Sequence, residues 1–434
     1  MTEELINALT KVGDLRVSAW ASTLRLKGAI NDIQEIGKQL GVGVVVQGSV
    51  RKEGGRVKIT ACLIDTAEGC YLWSEVYDRE LKDIFAVQEE ISRAIVETLK
   101  VQLGDEDSKR LVKRYTENPQ AYKLYLKGRY HWSKRSEVGL REGLEYFRRA
   151  LEVDPNYTLA LAGLADSLSL LGNYGVLPSK SVREEAKQAA LRAVALDDSL
   201  SETHASLGHV EATYEWNWTA AEQAFETAVR INPRYATAHH WYAITCLMPQ
   251  RRLDEALLEI EEAQRLDPVS VSIARDAGVV LYCRREYERS KQQARRTLEL
   301  DSNFDEGYWI LGLNCEQLGE YEEAVAALQK GRALAHTPRS IGALGHAYAL
   351  WGRRAEAEEA LGELRAMQKQ RYVSPFDSAL VHLGLGHTEV AREWLDQAYR
   401  LRCYELVWLK VDPRWDRLRS DSRFMKIVDA LGLT

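Results

Sequence analysis

The sequence predicts a mainly α-helical chain: an α-solenoid of about eight helix–turn–helix units behind a small α/β domain. Two observations carry this expectation. From residue 118 onward, small residues and prolines recur at a nearly constant interval, as stacked helical hairpins require. Over residues 1–103 the apolar pattern instead alternates every second position, as it does in strands.

The bulk numbers agree with two or more packed units. A chain of 434 residues exceeds one compact core, and with 45% apolar and 28% charged residues it reads as globular. A formal net charge of −6 does not favour nucleic acid, because phosphate binding wants a basic excess. Arg141, Arg148 and Arg149 cluster, but Glu142 and Glu145 lie between them, so a mixed solvated helix face is expected. No apolar run approaches the ~18 residues of a membrane helix. The start, MTEELINALTKV, is acidic and amphipathic rather than a signal peptide. A cytoplasmic placement is expected as written, or a periplasmic one if the native protein carries a membrane span upstream. Cys62, Cys70, Cys246, Cys283, Cys315 and Cys403 show no zinc spacing, and buried free thiols are the expectation for most of them. Cys62 and Cys70 flank a hairpin turn where they could face each other.

The repeat is clearest in the second half of each unit. GLEYFRRALEVDP (143–155), AAEQAFETAVRINP (220–233), EALLEIEEAQRLDP (255–268) and EAVAALQKGRALAH (323–336) share a small residue, a large apolar residue four later and a small one three after that. The first halves carry LKG (126–128), SLG (206–208), ILG (310–312) and ALG (343–345). Proline after the second small residue ends the helix, since it lacks an N–H and clashes with the preceding turn. The pattern resembles the tetratricopeptide repeat (TPR) family, whose 34-residue unit places small residues where its two helices cross. Units are expected to begin near Ala121, Thr158, Ser201, Ala236, Val271, Asp305, Pro338 and Tyr372, giving a superhelix over 117–401. The second unit has an insertion at NYGVLPSKSV (173–182), and EWNW (215–218) is a one-residue departure at the turn of the third. Residues 402–434 should close the array as a capping segment over its last apolar face.

In the amino-terminal part, strands are expected at 15–20, 43–50, 57–64 and 71–78, the last three as an antiparallel meander turning at Glu53-Gly54-Gly55 and Thr66–Gly69. Helices are expected over 2–12, 31–40 and 83–102. The blocks TEELINALTKV, DIQEIGKQLGV, VVQGSVRKEGGRVKITACLID and LWSEVYDRELKDIFAVQEEISRAIVETL resemble the TolB amino-terminal-like, or FlgO-like, domain, here over 1–105. That resemblance implies a domain usually found behind a bacterial winged-helix regulator, protein kinase or adenylate cyclase. It also implies a first strand that this sequence does not contain, so Met1 reads as an internal start.

No catalytic residue, metal site or cofactor is expected. GVGVVVQG (41–48) is not a complete phosphate loop, and P-loop, HExxH, GxSxG and kinase motifs do not occur. His204, His209, His239 and His240 diverge along their helices, and polar groove lining is favoured over metal binding. Glu259, Glu261 and Glu262 read as solvated helix surface. The resemblance to TPR proteins implies a protein or peptide partner on the concave face, lined by first helices. Carried over, its positions are Tyr122, Tyr125, Arg129, Trp132, His209, His240, Arg275, Tyr282, Trp309, Leu313, His346 and Phe376. Several of these could instead pack between neighbouring helices. The Lys and Asn clamp that holds acidic chaperone tails does not appear. A non-catalytic scaffold is the favoured function; the alternative is the regulatory end of an enzyme or regulator whose effector lies upstream.

Overall fold

The computed structural model describes residues 32–80, 84–99 and 115–433, with a few isolated positions before residue 32. The helix expected over 2–12, the strand over 15–20 and the end of the helix over 83–102 lie largely outside them.

Helix α1 (Ile33–Leu40) starts where the Asp32 carboxylate accepts the Gln34 N–H at 2.9 Å, and stops at Gly41 in left-handed conformation, φ 64°. Strands β1 (Val44–Glu53), β2 (Arg56–Asp65) and β3 (Tyr71–Glu80) follow as an antiparallel meander in the order β1-β2-β3. Glu53 pairs with Arg56 across a two-residue turn, so Gly54 sits at φ 58°, which only glycine adopts cheaply. Along β2, Val57, Ile59, Ala61 and Leu63 point to one face, and helix α2 (Ile84–Thr98) covers it with Val87, Ile91 and Ile95. The register sets Ser74 opposite Cys62, 3.2 Å from its Sγ, so Cys62 does not meet Cys70 and both thiols are free. The glycines of 41–48 end a helix and enter a strand, the reverse of a phosphate loop.

Eight helical hairpins follow. They pair α3 (Pro119–Trp132) with α4 (Glu137–Val153), α5 (Thr158–Asn173) with α6 (Ser179–Leu196), and α7 (Ser201–Val210) with α8 (Trp218–Ile231). Next come α9 (Ala236–Trp241) with α10 (Leu253–Leu266), α11 (Val271–Cys283) with α12 (Tyr287–Leu300), and α13 (Asp305–Gln317) with α14 (Tyr321–Leu334). The last two are α15 (Pro338–Leu350) with α16 (Arg354–Gln368), and α17 (Pro375–Gly384) with α18 (Thr388–Arg400). Small residues sit where the helices touch. A Cβ on Gly143 would lie 3.0 Å from the Gly128 carbonyl, and one on Gly312 would lie 2.5 Å from Leu328 Cγ.

The third and fourth units are each 35 residues from start to start, and each absorbs its additional residue as a π-helical turn. These turns are Glu211–Glu215 and Tyr242–Leu247, continuing α7 and α9. The extra residue expected in the turn at 215–218 is therefore taken up inside the helix. Between the paired helices the chain passes through a left-handed residue. Gly175, Gly319, Gly352 and Gly386 fill that place in four units, but Arg135, Arg251 and Arg285 fill it in three others. An L-residue there costs about 1 kcal/mol relative to glycine, so the arginines need another use.

The carboxyl-terminal segment lies against the last unit, where Arg392 pairs with Asp421 and Ser374 donates to Glu405 at 3.2 Å, and it also reaches further. It forms 3₁₀ turns Tyr404–Trp408 and Pro413–Leu418 and helix α19 (Ser422–Ala430), and it lies along the concave side of the superhelix. Leu406, Val407, Leu409, Val411, Trp415, Phe424 and Leu431 are all buried. The solenoid has also come round on itself: Arg371 bridges to Glu137 of the first unit at 3.2 Å, and Arg339 donates to the Asn173 carbonyl at 2.7 Å. The tail is thus held between both ends, with Trp218 Nε1 donating to the Leu431 carbonyl at 2.7 Å.

Candidate functional site: the concave face and its tail

The first helices bring a polar row onto the inner side of the superhelix, and the tail closes over it. Trp309 packs on Trp408 with ring centroids 6.3 Å apart, and Phe376 on Trp415 at 5.2 Å. The Tyr282 hydroxyl lies 3.5 Å from Asp412, which holds Arg414 in a buried pair at 2.6 Å. Two of the left-handed arginine positions are used here. Arg285 donates to the Val411 carbonyl at 2.6 Å and to Asp416 at 2.8 Å. Arg402, also left-handed, donates to the Tyr214 carbonyl at 3.0 Å and lies over the Trp216 ring.

The charges along the face are buried and ordered by one another. Arg275 bridges Asp276 at 2.8 Å and reaches Glu306 at 3.7 Å, which also takes Arg339 at 3.2 Å. Burial would raise the Asp276 carboxyl, but Arg275 beside it and the bond from His240 Nε2 (2.6 Å) hold it below its ordinary value. Burial pushes His240 down, so the neutral ring donates to an ionised carboxylate. His209 is pushed down to about 3, by burial first and then by Arg135 and His240 nearby. Burial raises Asp166 to about 7 although Ser206 donates to it at 2.6 Å. Asp377 rises to about 8 through burial and the neighbouring Glu405, whose own carboxyl burial also raises.

The twelve residues expected to line the face fall into five groups. Tyr282, Trp309 and Phe376 meet the tail directly, while His209, His240 and Arg275 line a cavity that Tyr404 and Trp408 of the tail close. His346 takes Glu316 at 2.9 Å, and Leu313 is buried in the same core. Tyr125 packs between Tyr157 and Phe147, and Trp132 meets Trp241, so these two serve helix packing. Arg129 lies over Trp132, and the Tyr122 hydroxyl accepts from Gln88 of α2 at 2.6 Å, facing the amino-terminal domain. All but Arg129 are buried, by neighbouring helices or by the chain's own tail.

The histidines have separate partners: His204 the Asp198 carbonyl, His209 Asn173, His239 Glu259 and His240 Asp276. Glu259 is accordingly not simple solvated surface. Cys315, Glu320 and Glu323 do converge, but Lys291 Nζ bonds both carboxylates and occupies the place of a cation. Sequence reasoning missed Asp166, Asn173, Asp276, Arg339 and the place of the 402–434 segment on the first helices. Asp166 was within reach, since it stands in the second unit where Arg129 stands in the first; the tail left no periodic signal.

The chain carries tetratricopeptide repeats: residues 217–271 and 305–331 each match a family model described as a tetratricopeptide repeat. A stretch of 165 residues is 39% identical to putative adenylate cyclase 3 of Rhizobium meliloti (strain 1021), covering 38% of this chain and 28% of that protein. Another match, 23% identical over 145 residues, is to the transcriptional regulator HilA of Salmonella typhimurium, covering 33% of this chain and 26% of the regulator. The matches thus span about a quarter of the length of these curated relatives. Among solved structures, the APC/C hetero-tetramer Cut9-Hcn1 is similar at 13% identity and TM-score 0.48, over 81% of this chain and 71% of that one.

Proposed function

We propose that this chain is a non-catalytic interaction scaffold whose concave face recognises a polypeptide segment. Its repeats support a scaffold in general. The single observation supporting the concave face is that it already grips polypeptide: residues 404–418 lie on it through Trp408, Asp412 and Trp415. Tyr282, Trp309 and Phe376 are the anchors, with Tyr122, Tyr125, Arg129, Trp132, His209, His240, Arg275, Leu313 and His346 around or behind them. A partner presenting paired aromatics around an Asp-x-Arg turn would have to replace the tail.

The test supplies the tail in trans. A labelled peptide of residues 402–420 should bind the full chain carrying Trp408→Ala and Trp415→Ala, and should not bind the native chain. Adding Trp309→Ala should remove that binding. A loosened chain that folds yet never binds the peptide would defeat the reading. ATP turnover by the pure chain, abolished by a point change within it, would defeat the non-catalytic part.

A second reading makes the scaffold the sensory or assembly end of a longer bacterial signalling protein, with a cyclase, kinase or winged-helix effector upstream of Met1. The similarity to a putative adenylate cyclase and to HilA favours it, as does the likeness of residues 1–105 to the TolB amino-terminal-like domain. Among the described residues no helix is long and apolar enough to cross a membrane. The cytoplasmic or periplasmic side would follow from what precedes Met1. The DNA upstream of that codon decides: an in-frame effector domain supports this reading and a stop codon removes it.

A further inference from the structure

We infer that the cavity between the tail and the first helices is a binding site for a small oxyanion group, a carboxylate or a phosphate. Arg135, Asn173, His209, Arg275 and Arg339 line it, and Tyr404 and Trp408 close it. Its volume is about 40 Å³. A single water needs ~10–15 Å³ on this measure, so the cavity has room for one oxyanion head.

The lining is rich in unused donors. Arg275 and Arg339 share the carboxylates of Asp276 and Glu306. Arg135 has no ion-pair partner among the described residues; its guanidinium lies over the Trp132 ring at 3.7 Å, and burial weakens its hold on its proton. His209 Nε2 is taken by the Asn173 amide at 2.8 Å, which leaves Nδ1 carrying the proton, buried and without a bond. Arg275 Nε and Trp408 Nε1 are buried donors without a bond as well. Against these stand two acceptors without a hydrogen bond, Asn173 Oδ1 and Asp276 Oδ1; the second belongs to a carboxylate whose other oxygen takes His240 and whose charge Arg275 balances at 2.8 Å. A buried cation and three buried N–H groups without acceptors are unfavourable unless something supplies oxygen atoms.

Arg135 also stands where other units carry glycine, in left-handed backbone at φ 51°. Its counterpart Arg285 uses that position to hold the tail; Arg135 has no such contact and points its charge at the cavity instead. An anion here would touch the first, second, third, fifth and seventh units and the tail at once, so its binding should stabilise the closed form.

The experiment titrates the full native chain with inorganic phosphate and, separately, with acetate, following heat and Tm; the two arms tell phosphate from carboxylate preference. Saturable binding of at least one, with a rise in Tm, is expected. Arg135→Gln should weaken it at least tenfold without lowering the Tm of the unliganded chain. Trp408→Phe, which keeps an aromatic ring against Trp309 but removes the indole N–H and part of the ring, should weaken it severalfold and serves if Arg135→Gln fails to fold. No saturable binding of either anion to the native chain would overturn the proposal. So would affinity unchanged in both variants.

Discussion

The seams between the helices and the concave face they enclose are built from opposite materials. At the seams, Gly128 against Phe147 and Gly312 against Leu328 bring backbones close, and the contact is almost wholly apolar. On the concave face, Arg275, Asp276, Glu306, Arg339, Asp412 and Arg414 lie buried in mutual pairs. A seam needs only its two neighbouring helices. The concave charges pair within a residue or two, as Arg275 with Asp276 and Asp412 with Arg414, or between adjacent units, as Glu306 with Arg275 and Arg339, but the tail that covers them comes from the far end of the chain. The difference teaches that the solenoid is a local construction, whereas its inner face is a global one.

The comparison can be broken first at the tail. Trp415→Ala removes a fully buried ring from between Phe376 and Phe424 and should cost about 3–5 kcal/mol in denaturant unfolding. If the inner face depends on the tail, the loss should come with new protease cuts within 402–434 while the helical signal stays. Gly312→Val attacks a seam instead. Its Cβ would meet Leu328 at 2.5 Å and the Ala324 carbonyl at 3.1 Å, so about 1–3 kcal/mol and local loss of helix around the sixth unit are expected by hydrogen exchange.

A pH series sharpens the contrast, because Asp377, Asp166 and His209, all strongly shifted by burial, lie on the inner face. Asp377 (about 8) and Asp166 (about 7) keep a proton in the folded chain that the unfolded chain releases near pH 4. Their cost is absent below that pH, grows as pH rises and is complete only above their folded values. His209, at about 3, works the other way: its cost is absent above pH 6.5 and grows on acidification. Between pH 6.5 and 8 these acids act, and His239, which burial would lower but Glu259 and the Pro233 carbonyl hold above its ordinary value, loses its stabilisation in the same direction. Stability should therefore fall there, by about 1 kcal/mol per pH unit for each proton retained. Asp377→Asn should flatten the decline in thermal melts. The smallest effect belongs to the outer surface. Arg148 pairs with Glu185 at 2.8 Å, both about half exposed, and Arg148→Ala should change stability by less than about 0.5 kcal/mol.

Much of the helical order was legible because each unit repeats a local rule. Helices begin at Thr158, Ser201, Ala236, Val271, Asp305 and Pro338, the positions expected from small-residue spacing alone. The three-stranded meander was legible for the same reason, through the alternation of Val57, Ile59, Ala61 and Leu63. Less was legible at the site. The spacing of 35 revealed one surplus residue in the third unit but not that a π-helical turn would hold it, since loop and helix accommodate one residue at similar cost. Residue type alone could not separate Tyr125, which packs between helices, from Trp309, which meets the tail.

What the sequence by itself determined is the solenoid, because crossing points, helix stops and alternation act over distances shorter than one repeat. Only the tertiary structure decided what fills the inner face. The superhelix must come nearly full circle before Arg371 reaches Glu137, and only then do Trp408 and Trp415 lie against Trp309 and Phe376. That meeting depends on the summed rotation of eight units, a quantity no local pattern records.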